Sequence, residues 1–289
     1  MRGIINYIKK QLTQNIIDQI NSIDINNIRE AEIYDELKPF FERIANENEE
    51  RARAEKIRRE FTANVSHELK TPVTTISGYA QMINNGMAKP EDIKEFSKKI
   101  EKESDRLLHL IDDIINLSNL DETDSIEDAQ TLDLSHITEE AIRVIEKSAK
   151  ERNIQIFYSH TPAFIRGNAT LIGELVYNLL DNAVKYNKEN GSITVFVGEH
   201  SDGVEFSVED TGIGIPEEDT ERIFERFYRV DKSHSKKVGG TGLGLSIVKH
   251  VCACHNAKIS VKSEVGKGTI MYVAFPKDTT GLYDLSHTV

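Results

Sequence analysis

The chain has 289 residues and a formal net charge of −12, a length that accommodates about two domains with connecting helices. A chain this acidic lacks the broad basic surface that neutralises nucleic-acid phosphates, which argues against a general nucleic-acid-binding protein. No stretch approaches 18 consecutive apolar residues, and no secretory signal pattern is present. We therefore expect neither a membrane span nor a leader in this sequence.

The two cysteines, Cys252 and Cys254, are two residues apart in a segment that the sequence predicts to be helical. Side chains at this spacing point to different sides of a helix, so a disulfide or a shared metal ion is not expected. Buried or incidental thiols suit a reducing compartment, and we expect a cytoplasmic location.

Two long amphipathic helices are predicted in the first half of the chain. Apolar residues recur at steps of three, four and seven from Ala54 to Ile83, which predicts a helix of about forty residues. Residues 84–86 (NNG) are a helix stop, and Pro90 starts a second stripe that continues to Leu117. The two helices form an antiparallel hairpin. Since one hairpin cannot cover both apolar stripes, we expect two copies to pair into a four-helix bundle, as a homodimer.

The character of the sequence changes after the second stripe. Helical stretches at 135–151 and 170–187 alternate with strand-like runs, which predicts a mixed α/β domain with a helix layer on a sheet. The strand candidates are residues 155–158, 192–197, 204–209 and 269–275. The expected division is residues 1–50 as an N-terminal signalling region, 51–122 as the hairpin, 123–131 as a linker, 132–278 as the α/β domain and 279–289 as a tail.

The first candidate site is His67, in residues 61–72 (FTANVSHELKTP). Taken alone, a histidine on a charged helix is an ordinary surface residue, but three neighbours favour chemistry. Glu68 can accept a hydrogen bond from Nδ1–H of the imidazole, which leaves the Nε2 lone pair free to attack phosphorus. Thr71 lies one turn away, where its hydroxyl can orient a water. Pro72 removes a helical hydrogen bond, and we expect a bend or loosening beside the histidine.

The second candidate site lies on the helix predicted at 170–187. Its polar residues Glu174, Asn178, Asn182 and Lys185 fall at steps of four, four and three, on one face. A solvated face is the alternative, but asparagine is a poor helix former and an unusual choice for one. Amide oxygens suit a hard cation such as Mg²⁺, and Lys185 adds a positive charge for phosphate.

The third candidate is Asp210, in residues 210–216 (DTGIGIP), directly after a predicted strand. A tight turn is the simplest interpretation. The functional interpretation is that the Asp210 carboxylate accepts a hydrogen bond from the exocyclic amine of adenine, a contact that a guanine carbonyl cannot make. Gly212 and Gly214 then allow the backbone to approach the base closely.

The fourth candidate is the glycine-rich segment 239–246 (GGTGLGLS), which leads into a helix that runs to about His255. Backbone N–H groups at a helix N-terminus favour phosphate binding. The segment is neither a Walker A loop nor a Rossmann fingerprint. Residues 216–238 before it are polar and locally basic, and predict a lid over a nucleotide, with Arg229 and Lys232 as phosphate contacts.

Taken in order, these segments resemble the core of sensor histidine kinases. Residues 61–72 resemble the H-box of their dimerisation and phosphotransfer domain. Residues 178–186 (NLLDNAVKY) resemble the N-box of the ATPase superfamily that these kinases share with Hsp90, gyrase and MutL. The two glycine boxes and the Phe-rich residues 224–229 (FERFYR) follow in the family's order, and the resemblance covers residues 55–276.

The resemblance implies a dimeric four-helix bundle that carries His67, followed by an α/β sandwich of the GHKL or Bergerat type that binds Mg·ATP. It implies autophosphorylation of His67 and transfer to an aspartate of a response-regulator receiver domain. Glu68 is implied as base or orienter, and Thr71 as a residue for dephosphorylating the regulator. Asn182 is the implied main Mg²⁺ ligand, supported by Asn178. The implied nucleotide-binding residues are Asn178, Asn182, Lys185, Tyr186, Asp210, Gly212, Gly214, Arg229, Lys232, Gly240, Thr241, Gly242, Leu243, Gly244 and Leu245.

The sequence departs from the family at residues 255–257 (HNA), where relatives often carry a Gly-Gly turn, and this leaves the local turn geometry in question. Residues 1–50 resemble a juxtamembrane or HAMP-like signalling helix only loosely. No sensory domain is recognisable, so we expect any membrane contact to come from a sensor region absent from this chain. Three other functions remain open: a catalytically silent dimeric ATP-binding scaffold, a kinase in which phosphatase activity dominates, and an Hsp90- or MutL-like ATPase.

Overall fold

The computed structural model describes residues 30–121, 129–230 and 240–277. The chain divides into two compact units, of which residues 1–63 form one and residues 64–289 the other. Within the described ranges, no helix combines the length and the apolar character that crossing a bilayer requires.

The first half of the chain forms two long helices, α1 (Glu30–Asn84) and α2 (Pro90–Asp121). The predicted boundary is confirmed, because α1 ends at Asn84, Gly86 takes the left-handed conformation with φ of 67°, and α2 begins at Pro90. The first helix has 55 residues and is longer than predicted. Its additional N-terminal turns carry charged pairs at a spacing of four, such as Arg43–Glu47, which support a helix without an apolar stripe.

Cross-helix contacts show that α1 and α2 form an antiparallel hairpin. The rings of Tyr79 and Phe96 lie 5.0 Å apart, and Glu68 pairs with Arg106. The earlier residue of α1 therefore meets the later residue of α2, as antiparallel helices require. The predicted hairpin is confirmed, and its pairing with a second copy stays a prediction.

Residues 129–277 contain an α/β domain with two β-sheets. The helices are α3 (Leu134–Glu151), α4 (Ala169–Lys185) and α5 (Gly244–Cys254). The strands are β1 (Gln130–Asp133), β2 (Gln155–His160), β3 (Phe164–Gly167), β4 (Ser192–His200), β5 (Gly203–Asp210), β6 (Lys258–Glu264) and β7 (Gly268–Pro276). The main sheet has the order β2-β4-β5-β7-β6, in which only the β2–β4 pair is parallel, and β1 pairs with β3 in a separate small sheet.

The core of this domain lies between the helices and one face of the main sheet. On β4 and β5, Val195, Val197 and Phe206 are buried and alternate with more exposed residues, as expected for a sheet covered on one face. Helix α4 is largely buried, and its apolar residues pack between the other elements. Asparagine and aspartate side chains cap the N-termini of two helices, since Asn168 accepts hydrogen bonds at the start of α4 and Asp133 at the start of α3.

The four strand candidates and the three helices predicted in this domain are confirmed. The strands are two or three residues longer than predicted, and α4 ends at Lys185 instead of residue 187. The strands β1, β3 and β6 were not among the strand candidates. Four residues are too few to establish a periodicity for β1 and β3, and β6 carries only two apolar residues, Ile259 and Val261. The predicted linker 123–131 lies largely outside the described residues, and Gln130 and Thr131 belong to β1.

The turn between α5 and β6 resolves the question raised by residues 255–257. Only Asn256 takes the left-handed conformation, with φ of 52°, and asparagine tolerates it. Ala257 has no positive φ, and its N–H donates to the carbonyl of Cys252 at 2.8 Å. One left-handed residue therefore suffices, and no second glycine is required.

Candidate functional site

His67 lies exposed on α1, as predicted. The helix is continuous through Pro72, and that proline is buried. The hydroxyl of Thr71 donates to the carbonyl of His67 at 3.2 Å, so it lies one turn from the histidine, as the spacing predicted. The proline does not interrupt the helix, and the expected bend or loosening beside the histidine stays a prediction.

The partner of Glu68 differs from the predicted one. Its carboxylate accepts a hydrogen bond from Nη2 of Arg106 on α2 at 3.4 Å, and both side chains are mostly buried. No hydrogen bond between Glu68 and the imidazole of His67 is seen among the described residues. Because Arg106 lies 38 residues further along the chain, no local pattern could have identified this contact.

Helix α4 presents the predicted polar residues. The side-chain N–H of Asn178 donates to the carbonyl of Glu174 at 2.9 Å, which leaves the amide oxygen of Asn178 for other partners. A Cβ at Gly244 would lie 2.6 Å from that oxygen, so Asn178 faces the start of α5. The carboxamide of Asn182 is half-buried, with no hydrogen bond in the described ranges.

Lys185 completes this polar face. Its Nζ lies 2.6 Å from the carboxylate of Asp181. Burial opposes its charged form, but the charge and hydrogen bond of Asp181 raise the pKa of Lys185, so the side chain stays cationic.

The donor set on α4 fits a hard divalent cation that also binds phosphate. Two amide oxygens, of Asn178 and Asn182, lie one turn apart, and such oxygens are suitable Mg²⁺ ligands alongside phosphate and water. Among the described residues, no group of three or more His, Cys, Asp or Glu side chains forms an alternative metal site.

Asp210 ends β5 and lies beside the C-terminus of α4. Its Oδ1 accepts the backbone N–H of Gly212 at 2.7 Å. Burial raises the pKa of Asp210 to about 6, although backbone hydrogen bonds from Gly212 and Thr269 favour the carboxylate. A partly buried carboxylate of this kind can form a strong, directional hydrogen bond with a donor on a ligand.

The glycines of residues 210–216 were predicted to allow close approach of a base. In the structure their lack of a side chain accommodates the protein's own backbone. A Cβ at Gly212 would overlap the carbonyl of Tyr186, and one at Gly214 would overlap the carbonyl of Glu264. Gly214 also has φ of 71°. These glycines therefore pack the Asp210 loop against α4 and β6.

The second glycine box contacts Tyr186 at the end of α4 and Phe227 in the Phe-rich segment. A Cβ at Gly240 would lie 2.8 Å from the hydroxyl of Tyr186. The carbonyl of Gly242, whose φ is 75°, accepts the N–H of Phe227 at 2.8 Å. Leu243 is fully buried, so only its backbone is available to a ligand, whereas Leu245 is half-buried.

Thr241 links this box to the hairpin. Its hydroxyl donates to the carboxylate of Asp113 on α2 at 2.8 Å and accepts the N–H of Leu243 at 3.2 Å. Burial raises the pKa of Asp113, against the opposing effects of the Thr241 hydrogen bond and the charge of Lys185. Asp113 was not among the predicted site residues.

Of the two predicted phosphate contacts, the structure describes Arg229 but not Lys232. Nε and Nη2 of Arg229 are buried and have no hydrogen-bond partner among the described residues, as expected of a side chain that binds a ligand. Lys232 lies outside the described residues. The structure thus brings together the N-box, both glycine boxes and Arg229's segment, while His67 is on the hairpin.

Besides Asp113, three further residues at this site were missed from the sequence. Thr269 on β7 lies beside Asp210. Arg152 donates to the carbonyls of Val184 and Lys185 at the end of α4, and the carboxamide of Asn187 donates to the carbonyl of Ser192. Each acts through a contact at long range or through backbone groups, which residue spacing does not reveal.

Two family models match the chain. The model described as His Kinase A (phospho-acceptor) domain matches residues 57–123. The model described as histidine kinase-, DNA gyrase B- and HSP90-like ATPase matches residues 167–279. The first covers the hairpin with His67, and the second covers α4, the glycine boxes and the main sheet except β2.

Curated relatives include the sensor-like histidine kinase SenX3 of Mycolicibacterium smegmatis, which is 38% identical over 229 residues, covering 79% of this chain and 60% of that protein. The sensor histidine kinase WalK of Bacillus subtilis is 35% identical over 233 residues, covering 78% of this chain and 38% of that protein. The chain therefore spans less than two thirds of the length of these relatives.

Solved structures show the same fold. The histidine kinase ThkA, solved in complex with the response regulator protein TrrA, matches with a TM-score of 0.63 at 24% identity, covering 87% of this chain and 68% of that one. Full-length ShkA, solved in complex with AMPPNP, matches with a TM-score of 0.56 at 27% identity, covering 74% of this chain and 45% of that one.

Proposed function

Because the chain belongs to the sensor histidine kinases of two-component systems, we propose that it phosphorylates its own His67 with Mg·ATP and passes the phosphoryl group to an aspartate of a response regulator. The observation that carries this proposal is an exposed His67 on the same chain as the site around α4 and Asp210. A solved relative of this fold, ShkA, holds the nucleotide analogue AMPPNP.

The reaction begins with His67 in its neutral form. The Nε2 lone pair attacks the γ-phosphorus, an N–P bond forms, and the bond from the γ-phosphorus to the β,γ-bridging oxygen breaks to release ADP. Nδ1 keeps its proton, and we assign the orientation of the imidazole to Glu68, although its carboxylate contacts Arg106 and not His67 in this structure. Arg106 holds that carboxylate in position. In the second step the regulator's carboxylate oxygen attacks phosphorus, and the N–P electron pair returns to Nε2.

The nucleotide is held at both of its ends. Asp210 accepts the hydrogen bond from the exocyclic amine of adenine, and Gly212 and Gly214 pack its loop. Asn182, with Asn178, would ligate Mg²⁺, which would neutralise phosphate charge. Lys185, Arg229 and the second glycine box would contact the phosphates, together with Lys232, which lies outside the described residues. The proposed set at the box includes Gly240, Thr241, Gly242, Leu243, Gly244 and Leu245.

The proposed assembly is a homodimer. Leu108, Ile111 and Ile115 on α2 are 60%, 37% and 51% exposed in the single chain, and their spacing places them on one helix face. A second hairpin would cover this stripe and complete the four-helix bundle. We also place the chain in the cytoplasm, where ATP and response regulators are found.

The test is incubation with γ-labelled Mg·ATP. Wild type is expected to acquire acid-labile, alkali-stable label, and His67→Gln and Asn182→Ala are expected to acquire none. His109→Gln, which removes another exposed histidine of the hairpin, should label normally. Label that persists in His67→Gln would overturn the assignment of the phosphoacceptor. Nucleotide binding without any label would favour the catalytically silent scaffold.

Dephosphorylation of the regulator is the second proposed activity. It is favoured by the position of the Thr71 hydroxyl, one turn from His67. Thr71→Ala should abolish phosphatase activity towards a phosphorylated regulator and spare labelling of His67. Thr74→Ala is the matched control, because Thr74 makes the same type of hydrogen bond, to the carbonyl of Lys70. Equal loss in both variants would count against the assignment.

A further inference from the structure

The C-terminus of α4 is bound by an arginine from a different helix. Arg152 follows the last turn of α3, and its guanidinium donates hydrogen bonds to three backbone carbonyls. The acceptors are Val184, Lys185 at 2.8 Å and Asn187 at 2.6 Å. The last carbonyls of a helix have no partner within the helix. Arg152 therefore fixes the end of the helix that carries the amide ligands, using the forked geometry that only arginine has.

Asn187, one of the residues held in this way, is 3% exposed. Its Nδ2 donates to the carbonyl of Ser192 at 3.1 Å. Its Oδ1 accepts the N–H of Lys188 at 3.0 Å and the hydroxyl of Thr211 at 3.2 Å. A Cβ at Gly191 would overlap this Oδ1, so the neighbouring loop is shaped around the carboxamide.

Thr211, whose hydroxyl donates to Asn187, directly follows Asp210. Thr211 and Ser192 exchange further hydrogen bonds, of 2.9 and 3.2 Å. Two residues beyond Thr211, the N–H of Ile213 donates to the carbonyl of Tyr186 at 3.1 Å. The loop that begins at Asp210 is thus tied to the end of α4 through both side chains and backbone.

We propose that Arg152 and Asn187 are positioning residues for the nucleotide. They act through other groups: Arg152 fixes the end of α4, and Asn187 fixes the Asp210 loop against it. Together they set the separation between the acceptor for adenine, Asp210, and the amide ligands Asn178 and Asn182. A nucleotide of fixed length must satisfy both ends at once, so its affinity depends on that separation. This inference rests on the proposed function.

The test compares Arg152→Lys, which keeps the charge but lacks the planar fork that spans the three carbonyls, with Asn187→Ser, which shortens the bridge to Ser192 and Thr211. Arg143→Lys is the control, because Arg143 lies on the same helix but pairs with Glu139 at the surface. We expect Arg152→Lys and Asn187→Ser to raise the KM for ATP by about tenfold with kcat changed less than about twofold. The control should behave as wild type.

A double-mutant cycle with Asp210→Asn separates positioning from general stability. Asp210→Asn raises the Kd for ATP by some factor in wild type. If Arg152 acts through the placement of Asp210, that factor should be about five times smaller in the Arg152→Lys background. Affinity losses that simply multiply would overturn the inference, as would unchanged ATP affinity in both variants. Failure of both variants to fold, as judged by circular dichroism, would mean that the network serves folding alone. Absence of ATP binding by wild type would instead overturn the proposed function, and this inference with it.

Discussion

The hydroxyl of Thr241 donates a 2.8 Å hydrogen bond to the carboxylate of Asp113 and so joins the second glycine box to α2 of the hairpin. The same hydroxyl accepts the N–H of Leu243. A negative side chain is therefore held at the box that the proposed function assigns to the nucleotide phosphates. Two negative groups at one place repel each other, and burial strengthens the repulsion.

Asp113→Asn should therefore increase ATP affinity. Asparagine keeps an acceptor for the Thr241 hydroxyl but removes the charge, which we expect to favour ATP by about 0.5–1 kcal/mol, or about two- to fivefold in Kd. The measurement is ATP titration followed by calorimetry. Asp112→Asn is the control, because Asp112 is the exposed neighbour on the same helix. Weaker binding by Asp113→Asn would show that the carboxylate supports the site instead of opposing phosphate.

Asp210→Asn should stabilise the nucleotide-free protein and impair binding. Burial raises the pKa of Asp210 to about 6, above its value of about 3.9 in an unfolded chain. The folded state therefore disfavours the carboxylate, and stability falls as pH rises between these two values. At neutral pH the variant should gain a few degrees in Tm, because its neutral amide avoids that loss and can still accept the Gly212 N–H.

The same substitution places a second donor opposite the adenine amine, so ATP affinity should fall by at least about tenfold. Thermal unfolding and ATP titration of the one variant measure both effects. Asp202→Asn, at an exposed position between β4 and β5, should change neither quantity. A drop in both Tm and affinity would mean that the carboxylate is required to hold the loop.

The parts of the fold that the sequence could predict are those set by local patterns. The C-terminus of α1 and the N-terminus of α2 follow from residues 84–86 and Pro90, and the polar face of α4 follows from the spacing of Asn178 and Asn182. The exposure of His67 followed from its position off the apolar stripe. These are properties of neighbouring residues, and the periodicity of a helix or strand is enough to reveal them.

Contacts between distant segments could not be predicted in this way. Glu68 meets Arg106, Thr241 meets Asp113, and Arg152 binds backbone carbonyls of α4. Every residue has a backbone carbonyl, so an arginine that donates to one can do so whatever the side chain of the accepting residue. The identity of that residue therefore does not indicate the contact. The glycines of residues 210–216 show the same limit, since their neighbours are backbone atoms of other elements.

Arg106→Gln should weaken the hairpin and slow phosphorylation of His67 without changing ATP affinity. The side chains of Arg106 and Glu68 are 19% and 24% exposed, so loss of the cation leaves a mostly buried carboxylate without its partner. We expect a loss of about 1 kcal/mol in the free energy of unfolding, and a several-fold slower labelling rate because Glu68 is no longer held. Urea unfolding and single-turnover labelling measure the two effects.

Arg59→Gln is the control for this substitution. Arg59 pairs with Glu55 on the same helix, but their side chains are 81% and 68% exposed, so its removal should have little effect. Combining Arg106→Gln with Glu68→Gln should restore part of the stability, because the Glu68 charge is removed and only Glu103, the second partner of Arg106, keeps an unpaired charge. Faster labelling by Arg106→Gln would contradict the prediction and indicate that Arg106 restrains Glu68.

His255 connects α5 to the start of α4. It is buried, and its Nε2 accepts the N–H of Asn168, the N-cap residue of α4, at 3.2 Å. Its Nδ1 lies 2.8 Å from the carbonyl of Val251 and therefore carries the proton. Both ring nitrogens are satisfied only in the neutral form, because a proton on Nε2 would face the N–H of Asn168.

The stability of the α/β domain should consequently decrease on acidification. Burial lowers the pKa of His255, although the hydrogen bond to Val251 opposes the shift. The unfolded state, with a pKa of about 6.5, binds the proton first, so this stabilisation is complete above that pH and is lost as the pH falls through the lower pKa of the folded state.

His255→Gln should be less stable than wild type by about 1 kcal/mol near pH 7.5, but its Tm should decline less steeply towards about pH 5.5. His200→Gln, which alters an exposed histidine, should keep the wild-type profile. Parallel pH profiles for wild type and His255→Gln would show that another group controls the decline, since removal of the titrating imidazole must flatten the curve if His255 is responsible.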